Sequence, residues 1–257
     1  MSPVFTPLPS LSDNYIWLAA QHGRALCIDP GEAAPVLDCL RRHALTLDQI
    51  WITHHHRDHT GGIAALKDAF PECRVYGGAD IAEADIVLRE GSRTAWRDVC
   101  AEVWHTPGHT EGHLVYLVRL PDDGRLHVFT GDTLFAAGCG RVFPPCTAQS
   151  LHRSLQRLAA LPSDTLLYPA HEYTAANLAF ARHIEPDNPD LPAAAGRALR
   201  PPTLPVTLEN ERRTNPFLRT ALPHIRRRTA ELSGRSLPDD AAVFAALREL
   251  KNGFQAA

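Results

Sequence analysis

Lysine is almost missing from this chain: Lys67 and Lys251 are the only two among 26 basic residues in 257 positions. With nearly all positive charge on arginine, residue type alone marks out none of the cations. An excess of positive charge is also missing. The net charge of −3 argues against a protein that coats nucleic acid, which would be basic. No apolar run approaches the roughly 20 residues that cross a bilayer. The start, Met1-Ser2-Pro3-Val4-Phe5, lacks a charged segment leading into an apolar stretch. The expectation is a soluble, cytoplasmic monomer without nucleic-acid or membrane partners. The six cysteines show no C-x-x-C spacing, which excludes a thiolate zinc site and a disulfide frame and leaves reduced, mostly buried thiols. There is no internal repeat and no low-complexity segment.

The residues present describe a globular chain. Hydrophobic residues make up 44% and charged residues 21%, enough for a substantial core, and the length fits one large domain or one domain with an appendage. Charge is uneven. Positions 1–196 hold 15 basic and 23 acidic side chains, and positions 197–257 hold 11 and 6. The proline-rich stretch Pro186 to Pro205 lies at that shift and reads as an irregular connection.

Short β-type runs alternate with helical patterns in the first part. Ala25–Asp29, Ile50–Thr53 and Arg74–Tyr76 read as strands, and Leu114–Val118 and Leu126–Phe129 as a pair joined by Pro121-Asp122-Asp123-Gly124. Val36, Leu37 and Leu40 give helical spacing to the segment from Glu32 to His43, and Gly61-Gly62 opens a second helix towards Phe70. After Ser150 the pattern turns helical, with Leu151, Leu155, Leu158 and Leu161 in one stripe. A last helix starts at Asp239 or Asp240, carries Val243, Phe244, Leu247 and Leu250, and stops at Gly253.

Four of the fourteen histidines fall within six residues, in Thr53-His54-His55-His56-Arg57-Asp58-His59, directly after the run at Ile50. In extended backbone, side chains two apart share a face. His54 and His56 can therefore meet one cation, with His55 turned away, while Asp58 and His59 face another after the chain turns. Imidazole with carboxylate suits zinc, with iron and manganese as alternatives. The preceding apolar strand and the interposed Asp58 argue against a merely solvated histidine run. His109 in Thr106-Pro107-Gly108-His109, Asp132 in Thr130-Gly131-Asp132-Thr133 and His171 in Pro169-Ala170-His171-Glu172 each adjoin an apolar run, as ligands on sheet-edge loops do. Singly, each reads as a capping or packed residue. With the first cluster they make seven ligands, enough for two ions sharing a carboxylate and a water.

H-x-H-x-D-H (His54, His56, Asp58, His59), followed in order by His109, Asp132 and His171, resembles the metallo-β-lactamase superfamily. Over nearly its whole length the chain is similar to one family within it, glyoxalase II or hydroxyacylglutathione hydrolase. The motifs specific to that family are Asn14-Tyr15-Ile16-Trp17, Gly138-Cys139-Gly140-Arg141, His171-Glu172-Tyr173-Thr174, Asn215-Pro216-Phe217-Leu218-Arg219 and Arg248-x-x-Lys251.

The resemblance implies an α/β fold: a four-layer αβ/βα sandwich over residues 1–171 with metals at one edge of its two sheets, then a C-terminal helical, substrate-binding region over 172–257. It implies two divalent ions, zinc foremost. His54, His56 and His109 would hold one, Asp58, His59 and His171 the other, and Asp132 would bridge. His55 and Arg57 fill variable places, and His113 matches a histidine outside the ligand set. The implied reaction is hydrolysis of S-(2-hydroxyacyl)glutathione, such as the D-lactoyl thioester, to a hydroxy acid and glutathione, the second step in disposal of methylglyoxal. Two dications make hydroxide available near neutral pH and polarise the thioester carbonyl, with Asp58 and Asp132 the carboxylates in catalytic position.

Glutathione carries carboxylates, so Arg141, Arg248 and Lys251 are expected to fix it. Arg248 and Lys251, three apart, share a helical face, although the helix dipole favours cations in a last turn whatever they bind. Tyr173 and Phe143 are expected to wall the pocket. After Phe143 the chain departs from the family, running Pro144-Pro145-Cys146-Thr147, and Phe143 has no hydroxyl to donate. The nearest rival is a glutathione persulfide dioxygenase with a single iron on the same scaffold. Lactonases and β-lactamases have no need of the C-terminal region, and a non-catalytic metal module would have no use for an open bridging site.

Overall fold

Side-chain alternation along two strands sorts the first core. Ile16, Leu18, Ile50 and Ile52, at every second position, share one buried cluster with Val36, Leu40, Ile63 and Leu66 of two helices. Trp17 and Trp51, between them, point the other way: Trp17 meets Phe129 and Tyr168 (ring centroids 6.4 and 4.9 Å apart), and Trp51 stacks on Tyr116 at 5.1 Å. Such ring pairs contribute about 0.5–1.5 kcal/mol each beyond the area they bury.

The computed structural model describes residues 2–255, which divide into two compact units. One runs through His105 and takes in Gly112–Gly131 and Tyr168–His171. The other holds Thr106–Glu111, Asp132–Leu167 and the described residues from Glu172 on.

The first unit carries β1 (Phe5–Ser10), β2 (Asn14–Gln21), β3 (Arg24–Ile28), α1 (Ala33–Arg42), β4 (Thr46–Trp51), α2 (Arg57–Thr60), α3 (Ile63–Ala69), β5 (Arg74–Gly77), β6 (Ile86–Val87), β7 (Arg93–Trp96), β8 (Val99–His105), β9 (Leu114–Leu120) and β10 (Asp123–Gly131). One sheet has the order β1-β2-β3-β4-β5-β6, antiparallel up to β3 and parallel from β3 onward, with α1 and α3 as crossovers. In a second sheet β10, β9, β8 and β7 follow one another, all antiparallel. Three of the four expected layers thus fall in this unit. The strands read from the sequence are all present, β4 starting four residues before Ile50. β1 and β2 were not anticipated: Pro7 and Pro9 break the strand pattern, and they are tolerated because β1 is an edge strand.

In the second unit the chain runs through β11 (Leu134–Phe135), β12 (Gly138–Cys139), α4 (Ala148–Ala159), β13 (Leu166–Pro169), α5 (Thr174–Ile184), α6 (Leu191–Ala198), β14 (Val206–Thr207), α7 (Leu208–Thr214), a 3-10 turn at Pro216–Leu218, α8 (Pro223–Ser233) and α9 (Asp240–Gly253). Only the Leu166–Leu167 end of β13 belongs here, paired with β14. Thr147 and Ser150 form a capping box on α4, and Asp239 caps α9 by accepting from the Ala242 N–H at 2.8 Å. His152 stacks on Phe244 at 5.0 Å, joining α4 to α9. Glu185, buried, takes a bidentate grip from Arg219 at 3.0 and 2.7 Å. One expectation is corrected: the proline-rich stretch contains α6, because Pro192 stands in the first turn, where its missing N–H costs nothing. The last helix, α9, ends at Gly253 as expected, and Phe254 caps it.

All six cysteines are free; Cys27, Cys39, Cys73 and Cys139 are buried and Cys100 is exposed. Among the described residues no helix is long and apolar enough to cross a membrane.

The loop after β3 lies against Asp58, at the end of the histidine run, so closely that only glycine fits. A Cβ on Gly31 would stand 2.1 Å from the backbone oxygen of Asp58. We expect Gly31→Ala to lower the unfolding free energy by about 1–3 kcal/mol, read from urea denaturation. An unchanged midpoint would show that the two loops part freely.

Candidate metal centre

The histidine run begins just beyond β4, and Asp29, just beyond β3, pins it there. The Asp29 carboxylate accepts from the Thr53 N–H at 2.8 Å and from the Thr53 hydroxyl at 2.7 Å. His54 is wholly buried, with Nδ1 3.0 Å from the Thr53 hydroxyl and Nε2 3.1 Å from Nδ1 of His56. Two imidazole nitrogens bound to one tetrahedral zinc at about 2.0–2.1 Å stand a little over 3 Å apart, so this pair fits a shared cation. His113 stacks on His54 with ring centroids 4.8 Å apart. His55 turns outward and meets Asp80 at 2.8 Å, as the alternation predicts.

Three other side chains of the first unit converge on one point. Oδ2 of Asp58 lies 3.5 Å from Nε2 of His59 and 3.4 Å from Nε2 of His171, and these ligand atoms all fall within 4.8 Å of one another. The outward nitrogens face carboxylates: Nδ1 of His171 lies 2.8 Å from Asp13 and Nδ1 of His59 lies 3.1 Å from Asp29. A carboxylate only accepts, so His171 carries its proton on Nδ1 and turns the Nε2 lone pair inward. The Asn14 side chain donates to Asp58 Oδ2 at 3.1 Å. Burial opposes ionisation of Asp58, but its contacts with His171, His59 and Asn14 outweigh burial and hold the carboxyl well below the usual carboxylate range.

In the second unit His109 and Asp132 form a pair of their own. Nδ1 of His109 donates to the Arg141 carbonyl at 2.8 Å, which leaves Nε2 facing Asp132 Oδ2 at 3.4 Å. Each unit therefore presents imidazole and carboxylate groups able to bind a metal, five of the seven expected ligands in one and two in the other.

The metallo-β-lactamase superfamily model matches residues 11–171, and the model of the hydroxyacylglutathione hydrolase C-terminus matches residues 172–254. The chain is 53% identical over 249 residues to the hydroxyacylglutathione hydrolase of Neisseria meningitidis serogroup A, covering 97% of this chain and 98% of that one. The chain belongs to the hydroxyacylglutathione hydrolase family of the metallo-β-lactamase superfamily. The hydroxyacylglutathione hydrolase of Xanthomonas axonopodis pv. citri is 44% identical over 257 residues, at 97% and 98% coverage. Among solved structures, ETHE1 from Myxococcus xanthus superposes with a TM-score of 0.67 at 26% identity, covering 98% of this chain and 93% of its own. TTHA1623, solved in a di-iron-bound form, gives 0.58 at 26% identity, covering 84% and 100%.

The substrate-side residues expected of a hydroxyacylglutathione hydrolase lie in the second unit. Arg248 is buried, donates to the Cys139 carbonyl at 2.8 Å and lies over the Phe217 ring at 5.0 Å. Lys251 donates to the Ala176 carbonyl at 3.2 Å. Burial, then the charges of Arg248 and Arg141, push its pKa down to about 8, which places three cations close together. Phe143 is exposed and meets His109 edge-on at 5.3 Å, and Tyr173 meets Phe135 at 5.2 Å. Sequence reasoning missed Asp13 and Asp29. The signal for Asp29 was an acidic residue closing the apolar run Ala25–Ile28, ahead of Pro30-Gly31.

Removing an outer partner of a metal-binding histidine lowers metal affinity about 10–100-fold. We expect that loss for Asp13→Ala and no loss for His55→Ala, measured by zinc competition against a chromophoric chelator. Equal affinity in Asp13→Ala and wild type would show that Asp13 does not orient His171.

Proposed function

We propose that this chain hydrolyses S-(2-hydroxyacyl)glutathione, such as S-D-lactoylglutathione, to a 2-hydroxy acid and glutathione. The reading is carried by the presence, in one chain, of clustered imidazole and carboxylate donors and a C-terminal region matched to that of hydroxyacylglutathione hydrolases. In it His54, His56 and His109 would hold one divalent ion, Asp58, His59 and His171 would hold a second, and Asp132 would be shared by both, with zinc the preferred metal and iron or manganese alternatives. The bound cations supply water acidified towards neutral pH and a polarised thioester carbonyl. Water oxygen adds to the carbonyl carbon as one of its protons is given up to solvent, the carbon–sulfur bond breaks, and the thiolate departs with the bonding pair and takes up a proton from solvent.

The chain's own groups do the rest. Asp58, kept ionised by His171, His59 and Asn14, accepts a hydrogen bond from the attacking water and orients it. Arg141, Arg248 and Lys251 bind the glutathione carboxylates. Phe143 and Tyr173 wall the thiol side of the pocket. Residues 172–257 serve as the substrate-binding part. The reading calls for a cytoplasmic monomer acting on a small diffusible thioester. Free-thiol release from S-D-lactoylglutathione by metal-loaded protein tests it. Oxygen uptake with glutathione persulfide and no thiol release would replace it with the dioxygenase reading.

Lys251 gives the pH dependence its sign. The ammonium binds carboxylate only while protonated, so kcat/KM should fall as pH rises through about 8, the value to which burial and the neighbouring arginines bring it. In Lys251→Arg that decline should vanish. Lys251→Ala should raise KM on the order of tenfold with kcat little changed. A decline that survives in Lys251→Arg would remove Lys251 from substrate binding.

A further inference from the structure

The two-residue hairpin formed by β11 and β12 leads directly into Gly140 and Arg141, and its tip is held by a carboxyl group that thioester hydrolysis does not use. Glu211, in α7, is wholly buried. One of its oxygens accepts from the backbone N–H of Ala137 at 2.7 Å and from the Asn215 amide at 3.0 Å, and the other accepts from the Asn210 amide at 3.1 Å. Ala137 is in the left-handed region at φ 52°, where a non-glycine residue needs support from its surroundings. Asn215, also wholly buried, donates to the carbonyls of Phe135 at 3.3 Å and Gly138 at 3.0 Å. Arg248 closes the far end, donating to the carbonyls of Cys139 at 2.8 Å and Gly140 at 3.4 Å.

Backbone groups from Phe135 to Gly140 thus end on four side chains of the C-terminal region, the fourth being Asn177, which donates to the Ala136 carbonyl at 3.0 Å. The end of the segment lies close against the Asp132 loop, since a Cβ on Gly140 would stand 2.0 Å from the Asp132 carbonyl oxygen. The next carbonyl along, that of Arg141, is the one that accepts from Nδ1 of His109.

We propose that Glu211 is a positioning residue for His109: by holding the Ala137 N–H it fixes the Gly138–Arg141 segment, and with it the carbonyl that sets the tautomer and ring orientation of His109. The proposal rests on the reading of His109 as a ligand. It adds that the C-terminal region governs a histidine of the centre as well as the thioester. A buried carboxyl group is costly to keep, and here two of its three donors, the Ala137 N–H and the Asn215 amide, lead into one short segment.

Zinc-loaded protein labelled with 15N-histidine reports this contact, since an Nδ1–H held by a carbonyl exchanges slowly with water and gives its own resonance. In wild type, the His109 and His171 protons should both be protected. In Glu211→Ala the His109 proton should exchange faster, on the order of tenfold, while the His171 proton, whose partner is Asp13, is unchanged. Glu211→Gln keeps an oxygen for the Ala137 N–H and should restore the His109 signal. If Glu211→Ala does not fold, Glu211→Asp, one methylene too short to reach Ala137, takes its place with the same expectation. A His109 proton as protected in the Ala or Asp variant as in wild type, with only a lower melting temperature, overturns the proposal. Wild-type protein inert towards S-D-lactoylglutathione would refute the thioesterase reading alone, because the resonance is read without turnover.

Discussion

An imidazole binds a cation well only when its ring is held still and its proton is kept on the outer nitrogen, and the candidate centre depends on that constraint. Asp13 meets it for His171, with Asp29 facing His59 and the Arg141 carbonyl serving His109. Asp13 and the Arg141 carbonyl each take up one nitrogen and leave the other directed at a neighbouring ligand atom. Asp29 does double duty, because the same carboxylate ties down Thr53 and so fixes where the histidine run begins.

The fold supplies the acceptors by ending strands where they are needed. Asp29 follows β3, the histidine run follows β4, Asp132 follows β10 and His171 follows β13. Ligand sites at the carboxyl ends of parallel strands are a general feature of α/β sheets, since loops there diverge from a rigid base. Glycine lets these loops approach one another. Gly31 lies against Asp58, and Gly140 lies against Asp132. The sheets need β-branched and aromatic residues to fill the space between them, and the loops need residues with no side chain at all.

Much of this was legible in the sequence, for physical reasons that differ by element. Strands buried on both faces, such as β3 and β9, announce themselves as continuous apolar runs. The helix stripe through Leu151, Leu155 and Leu158 is equally plain. β1 was hidden because its prolines are tolerated only at an edge, and edge position is a tertiary fact. α6 was hidden because a proline at the front of a helix looks in sequence like a proline that prevents one. The metal-binding residue types stood out through density and spacing. The acceptors behind them did not, since Asp13 lies 158 residues from His171 and nothing local connects the two. The grip of Glu211 on Ala137, 74 residues apart, was illegible for the same reason.

The proposed hydrolysis requires seven side chains of this one chain to hold two cations together. Elemental analysis of protein purified without chelators, run alongside thiol release from S-D-lactoylglutathione, tests it most directly. The account predicts that activity rises with bound zinc, iron or manganese and reaches its full value near two equivalents per chain. Full thioesterase activity at one equivalent, with no gain from a second, would contradict it.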